Sequence, residues 1–271
     1  MTGESFKSNS LGIIRNLNSA LNDQNRSFNR LSSGKRINKA SDDAAGLAIA
    51  ESLLADAAVF NKASENINSA RSLTSIQDGA LGQVTQIGTR LQELSVQAAN
   101  GTLSNSQREA LNSEFQALKE EASRIVSSTE FNGNKVFSGE STTFQVGNSS
   151  DPTSQISVEG SNVAASLASI QNLDISSASG AMSALEATKN LVSELGSTRG
   201  KIGAAVSRLE TADSNIKVAI ENLRSAESRI RDVDVAEESA KNIASRIRAR
   251  ASEATLAQGK LSAENVLRLL K

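Results

Sequence analysis

The chain reads as a mainly α protein: a long antiparallel helical coiled-coil rod carrying a small β-hairpin and strand tip. Three observations predict this. Apolar residues recur at close to 3.5-residue spacing over two long stretches, proline occurs once in 271 residues, and an Asn-Gly pair between apolar flanks marks one hairpin. The composition is informative by omission. Cys, His, Trp and Tyr are absent, so disulfides, thiolate metal sites, Cys nucleophiles and the commonest general base are excluded, and enzyme chemistry is not expected. No cofactor or metal site is expected either.

The first forty residues hold Ile14, Leu17, Leu21, Phe28 and Leu31 at steps of three, four and seven, a narrow amphipathic stripe. Ser32-Ser33-Gly34 ends it, because glycine takes the left-handed conformation that terminates helices. Ser41 is the expected cap of the next helix, with Asp42 and Asp43 in its first turn complementing the helix dipole. From Leu47 the small and apolar positions run through Leu54, Ala63, Ile67, Ala70, Leu73, Ile76, Ala80, Val84, Ile87, Leu91, Leu94 and Ala98. Nine steps separate Ile67 from Ala98, about 3.4 residues each, which is close to a left-handed coiled coil. An unbroken helix over 41–99 would be roughly 90 Å long. Gly79, Gly82 and Gly88 read as close-packing positions within it, with local kinking as the alternative.

Asn100-Gly101 stops the pattern, and Ser104 with Gln107 forms a capping box that restarts it through Leu111, Phe115, Leu118, Ala122 and Ile125 as an antiparallel return. Phe131-Asn132-Gly133-Asn134 then predicts a hairpin, and 142–146 and 155–158 two further strands. Residues 138–180, rich in Ser, Gly, Asn and Thr, read as a loop-and-strand tip. Helical periodicity resumes near Met182 and continues through Ile202, Val206, Leu209, Ile216, Ile220, Leu223 and Ile230. A break at Asp232-Val233-Asp234 precedes a last helix with Ile243, Ile247, Ala251, Ala254, Leu261 and the Val266-Leu267-Leu270 end.

Charge is segregated although the net is −1. Residues 1–40 and 241–271 each hold seven Lys or Arg and two acids, which leaves the middle strongly acidic. No uninterrupted apolar run approaches 18 residues and no signal-peptide pattern opens the chain, so neither membrane insertion nor a cleaved leader is expected. Gly196-Ser197-Thr198-Arg199-Gly200-Lys201 is one residue short of a phosphate loop and follows a helical pattern, while Arg246, Arg248 and Arg250 have no aromatic companions. Neither nucleotide nor nucleic-acid binding is expected. Asp42-Asp43 and Asp232-x-Asp234 read as caps and breaks rather than metal ligands. A polymerising structural protein and a non-polymerising coiled-coil adapter both fit this plan.

Leu31-Ser-Ser-Gly-Lys-Arg-Ile-Asn38, Ser41-Asp-Asp-Ala-Ala-Gly46, Leu91-Gln-Glu-Leu-Ser-Val-Gln-Ala-Ala-Asn-Gly101, Glu130-Phe-Asn-Gly133, Ser225-Ala-Glu-Ser-Arg-Ile-Arg-Asp-Val-Asp234, Leu256-Ala-Gln258 and Asn265-Val-Leu-Arg-Leu-Leu270 follow in order along the chain. Together they closely resemble bacterial flagellin, in a minimal type without large outer domains. Met1 to Ser10 depart from the start usual in the family. The hook-filament junction protein of the same apparatus shares the N-terminal motif but usually carries proline around the paired acids, where this chain has Ala40 and Ala44.

The resemblance implies a self-assembling subunit of the extracellular flagellar filament that serves motility. It implies secretion through the flagellar type III system and dealings with an export chaperone, cap and hook-junction proteins. Residues 1–40 and 236–271 would form an inner helical domain. Its stripe residues, Ile14, Leu17, Leu21, Phe28, Leu31, Ile243, Ile247, Leu261, Val266, Leu267 and Leu270, would make the polymerisation contacts. Residues 41–137 and 181–235 would form the rod, and 138–180 a short variable tip. The resemblance further implies a patch read by a host Toll-like receptor, or used between subunits, at Arg90, Leu91, Glu93, Leu94, Gln97 and Glu114, with Leu94 as its apolar anchor.

Overall fold

The computed structural model describes residues 2–269, with side chains placed from 10 to 261. Six helices account for most of it: α1 (Thr2–Ser33), α2 (Ala44–Ala98), α3 (Asn105–Ser128), α4 (Val163–Gln171), α5 (Ala178–Arg231) and α6 (Val235–Leu269). Four short strands, β1 (Glu130–Phe131), β2 (Asn134–Lys135), β3 (Thr142–Gln145) and β4 (Gln155–Val158), lie between α3 and α4. The chain divides into two units, Met1–Ala55 with Asn222–Lys271, and Asp56–Glu221.

In the second unit α2 and α5 run antiparallel. Ser64 Oγ donates to Asp213 at 2.8 Å, Arg71 pairs with Glu210 at 3.5 Å, and Arg199 pairs with Asp78 at 2.8 Å. Their apolar faces make two clusters: Ile67, Ala70, Leu209 and Ile216 with Ile156 of β4, and Leu81, Val84, Leu91, Leu94, Leu191 and Leu195 with Phe115 of α3. The periodicity placed this face one residue off midway along α2. Ile76 is 39% exposed, whereas Gln77 and Leu81 are buried, because a 3.5-residue seam drifts from a 3.6-residue helix. Of Gly79, Gly82 and Gly88, only Gly88 has a packing reason: a Cβ there would lie 3.0 Å from Val192 Cγ2, whereas Gly79 and Gly82 face open space.

By length and composition alone, α2 does reach what a membrane crossing requires. This corrects the expectation drawn from uninterrupted runs. The count rises through its Ala, Leu and Ile content although Glu51 and Asp56 break the run. Farther along, from Ile67 to Leu94, its buried face lines protein core.

Local chemistry sets the element ends. Ser104 caps α3 in a reciprocal box with Gln107. Arg108, buried at the start of α3, donates to the Ala98 and Asn100 carbonyls at 3.0 Å each and so satisfies the end of α2. Asn132 at φ 50° and Gly133 at φ 79° make the left-handed turn that joins β1 to β2, pairing Glu130 with Lys135 and Phe131 with Asn134. β3 and β4 pair antiparallel from Thr142↔Val158 to Gln145↔Gln155.

Two expectations need correction. The cap of α2 is Asp43, which accepts from Gly46 N–H at 2.9 Å, while Asp42 accepts from the Asn38 and Lys39 amides and stands outside the helix. Burial works against the charge on Asp42, yet those two amides hold its carboxyl below the usual range. Residues 138–180 are also more than loop and strand. α4 opens on Asn162, which accepts from Ala165 N–H, and buries Val163, Leu167 and Ile170. At its far end the buried Lys119 ammonium donates to the Gln171 and Leu173 carbonyls, both at 2.7 Å, and stands 5.4 Å over the Phe115 ring.

Candidate assembly surfaces

The first unit pairs α1 with α6 antiparallel. Arg30 meets Glu238 at 3.8 Å, Asn242 Nδ2 donates to the Gln24 carbonyl at 3.2 Å, and Arg248 stands 3.9 Å from Asp23. What this pairing buries is small or polar: Ala20 and Ser27 on α1, Glu238, Ser245 and Ala249 on α6. Small side chains let two axes approach but bury little apolar area, so the seam contributes little hydrophobic stabilisation of its own.

The large apolar residues point elsewhere. On α1, Ile14 is 41%, Leu21 38% and Phe28 66% exposed, and they recur every seven residues along one face. On α6, Ile243, Ile247 and Leu261 are 53%, 62% and 61% exposed. Leu17 and Leu31 are half-buried. Val266 and Leu267 lie outside the residues whose side chains are described, and Leu270 lies outside the described residues altogether. The stripes read from the sequence are therefore mostly outward faces of this helix pair. Exposed apolar surface at regular helical spacing marks a site for another surface.

The same unit joins the two helix breaks. Gly34, at φ 70°, ends α1 and presents its carbonyl to Val233 N–H at 3.0 Å, while Arg36 N–H donates to the Arg231 carbonyl at 2.6 Å. Arg36 also reaches the Ile230 carbonyl, and Arg231 donates to the Ile37 carbonyl and to Glu51 at 3.0 Å. Two sequence motifs nearly two hundred residues apart thus form one clasp over the buried Ile37. Sequence reasoning placed both as helix breaks without seeing that each supplies the other's hydrogen-bond partners.

On the second unit, Arg90 lies between Glu114 of α3, at 2.8 Å, and Glu93, at 3.0 Å. Glu114 first, and then Glu93, raise the guanidinium's affinity for its proton. Arg90, Glu93, Gln97 and Glu114 are exposed. Leu91 and Leu94 are fully buried in the core, so Leu94 presents no apolar anchor at the surface; both leucines hold α2 against α3 and α5.

These features define a helical structural subunit with unfilled faces. The comparisons make the definition particular. Residues 5–142 match the bacterial flagellin N-terminal helical region, and 185–270 the C-terminal helical region. The flagellin of Halalkalibacterium halodurans is 38% identical over 95% of both chains. That of Bacillus subtilis is 34% identical over 96% of this chain and 97% of that one. The crystal structure of Bacillus cereus flagellin shares the fold, with a TM-score of 0.51 at 24% identity over 56% of this chain and 88% of that one. A Vibrio parahaemolyticus structure assigned to a flagellar hook-associated protein shares it too, at 0.60 and 13% identity over 70% of this chain and all of that one. The chain belongs to the bacterial flagellin family.

Proposed function

We propose that this chain builds a helical flagellar filament through the outward faces of α1 and α6. The observation that carries the reading is the mismatch within this pair: its own seam holds Ala20, Ser27, Ser245 and Ala249, while Phe28, Ile243 and Ile247 stand in solvent. Packing those residues against unlike faces of neighbouring copies gives a heterologous contact, which propagates as a helix when the rotation does not close. On this reading residues 1–40 and 236–271 form the inner tube, 41–137 and 181–235 the surrounding shell, and 138–180 a short variable segment. The subunit leaves the cell through the flagellar type III system. An export chaperone receives it before assembly, and the cap and hook-junction proteins bound the filament at its ends. Identity of 34–38% to flagellins over most of the chain favours this over the junction protein and over a non-polymerising adapter.

Seeded polymerisation followed by electron microscopy tests the reading. The wild-type chain gives long filaments of fixed diameter, and Phe28→Ser with Ile247→Ser gives none while keeping wild-type helicity. Filaments from the double variant would overturn it.

A host Toll-like receptor would meet the monomer at Arg90, Glu93, Gln97 and Glu114, where exposed charges can exchange internal pairs for charge-assisted bonds to a partner. Equal affinity of wild-type, Arg90→Ala and Glu114→Ala monomers for the receptor ectodomain would refute this assignment.

A further inference from the structure

The chain contains Asn-Gly twice, at 100–101 and 132–133, and the fold treats the two unequally. Both pairs are exposed, and a Cβ at either glycine would meet nothing within 4 Å. The difference lies in which atoms are hydrogen-bonded. Asn100 Oδ1 accepts from Thr102 N–H at 3.1 Å and from Thr102 Oγ1 at 3.0 Å, an Asx turn that fixes the side-chain amide. The main-chain carbonyl of Asn100, whose carbon bears the Gly101 nitrogen, accepts from Arg108 at 3.0 Å and from Leu103 N–H at 3.3 Å. Asn132 instead lies in a tight turn between paired Phe131 and Asn134, and among the described residues nothing donates to its side chain.

We propose that Asn100–Gly101 is a self-modifying site, at which the fold promotes conversion of Asn100 to aspartate and isoaspartate. Each of the four hydrogen bonds favours a step. Arg108 and Leu103 withdraw electron density from the Asn100–Gly101 peptide and make the Gly101 N–H more acidic. Hydroxide removes that proton, and the nitrogen attacks Asn100 Cγ to close a five-membered ring. Negative charge then develops on Oδ1, where the two Thr102 donors already point, as in an oxyanion hole. The intermediate collapses by breaking the Cγ–Nδ2 bond, and the nitrogen leaves as ammonia after taking a proton from water. Water then adds to either carbonyl of the succinimide. Opening one C–N bond returns an ordinary aspartyl link, and opening the other leaves the backbone running through Cβ as isoaspartate. One water is consumed, one ammonia is released, and nothing is oxidised or reduced. The new carboxylate stands beside Arg108, and the isoaspartyl form lengthens the turn between α2 and α3 by one carbon.

The purified full-length chain, kept warm at mildly alkaline pH and followed by peptide mapping, tests the proposal. Asn100 converts several-fold faster than Asn132 in the folded protein, and the two rates converge in concentrated urea, where only the shared Asn-Gly chemistry remains. Thr102→Val removes one donor and slows Asn100 by roughly three- to tenfold, whereas Thr102→Ser retains the rate. Arg108→Gln slows it as well, and because that arginine also caps α2, the Thr102 pair provides the test independent of folding. Faster or equal conversion at Asn132 in the folded chain overturns the proposal. So does a rate ratio unchanged by urea, or a Thr102→Val rate equal to wild type.

Discussion

Val233 donates its amide to the carbonyl of Gly34, so the end of α1 and the start of α6 are tied to one point. The bond closes a two-way bridge with Arg36 and Arg231, whose side chains then reach across to the Ile230 and Ile37 carbonyls. Turning a chain sharply between helices leaves main-chain groups without partners, and here each break satisfies the other.

Arg231 carries most of the side-chain part of this clasp, with 15% side-chain exposure against 58% for its partner Glu51. Arg231→Gln is expected to cost about 1–2 kcal/mol, since it weakens charge-assisted bonds to Ile37 and Glu51 at a half-buried site. Glu51→Gln is expected to cost under about 1 kcal/mol. Urea unfolding of both variants checks the order.

The displaced seam gives a sharper contrast. Ile216→Ala removes a side chain that is 5% exposed and is expected to cost about 2–5 kcal/mol, whereas Ile76→Ala, at 39% exposure, costs well under half of that. Thermal melts of the two variants separate them, and equal losses would put Ile76 back in the core.

Asp213 accepts from Lys217 at 2.6 Å and from Ser64 at 2.8 Å. Lys217 first, with Ser64 adding to it against the cost of burial, holds this carboxyl below the usual carboxylate range. Because the folded value lies below the unfolded one, the contribution is fully present above about pH 4 and is lost as pH falls through the folded value. The stability gap between wild type and Asp213→Asn is therefore largest near neutrality and closes in acid. A gap independent of pH would contradict the assignment.

Lys119→Met leaves the Gln171 and Leu173 carbonyls without their buried donor, at an expected cost of about 1–3 kcal/mol. The loss is local. Amide exchange quickens in α4 and stays slow along Ile67–Leu94 of α2.

Exchange also reports on α1 and α6. Their seam of small residues holds them weakly in the free subunit, so their amides are expected to exchange quickly there and slowly in filaments. Slow exchange in both states would show that the pair needs no neighbours.

Local rules were legible in the sequence. Asn132-Gly133 and the Ser104–Gln107 box need only their own few residues to specify a turn and a cap, and both stand in the structure where they were read. What depended on tertiary context was not. α4 hides in a Ser- and Asn-rich stretch because its nine residues present only Val163, Leu167 and Ile170 as a stripe. In α1 and α6, periodicity identified the stripes that hold Phe28 and Ile247, and the structure shows these two residues exposed, since an apolar stripe does not say whose surface will cover it. Family resemblance grouped Leu91 and Leu94 with Arg90, and only packing separates the two buried leucines from the exposed charges.

On the proposed assembly through the exposed faces of α1 and α6, the folding of both helices becomes a matter of concentration. A helix whose apolar side is covered by another molecule gains stability by mass action, so its melting point rises with the amount of free subunit and with the number of sides already occupied. A copy arriving at a growing end, with neighbours on one side only, is held less firmly than one in the body of the polymer. Loss of subunits is accordingly confined to the ends, and the interior persists on dilution far below the concentration needed to begin.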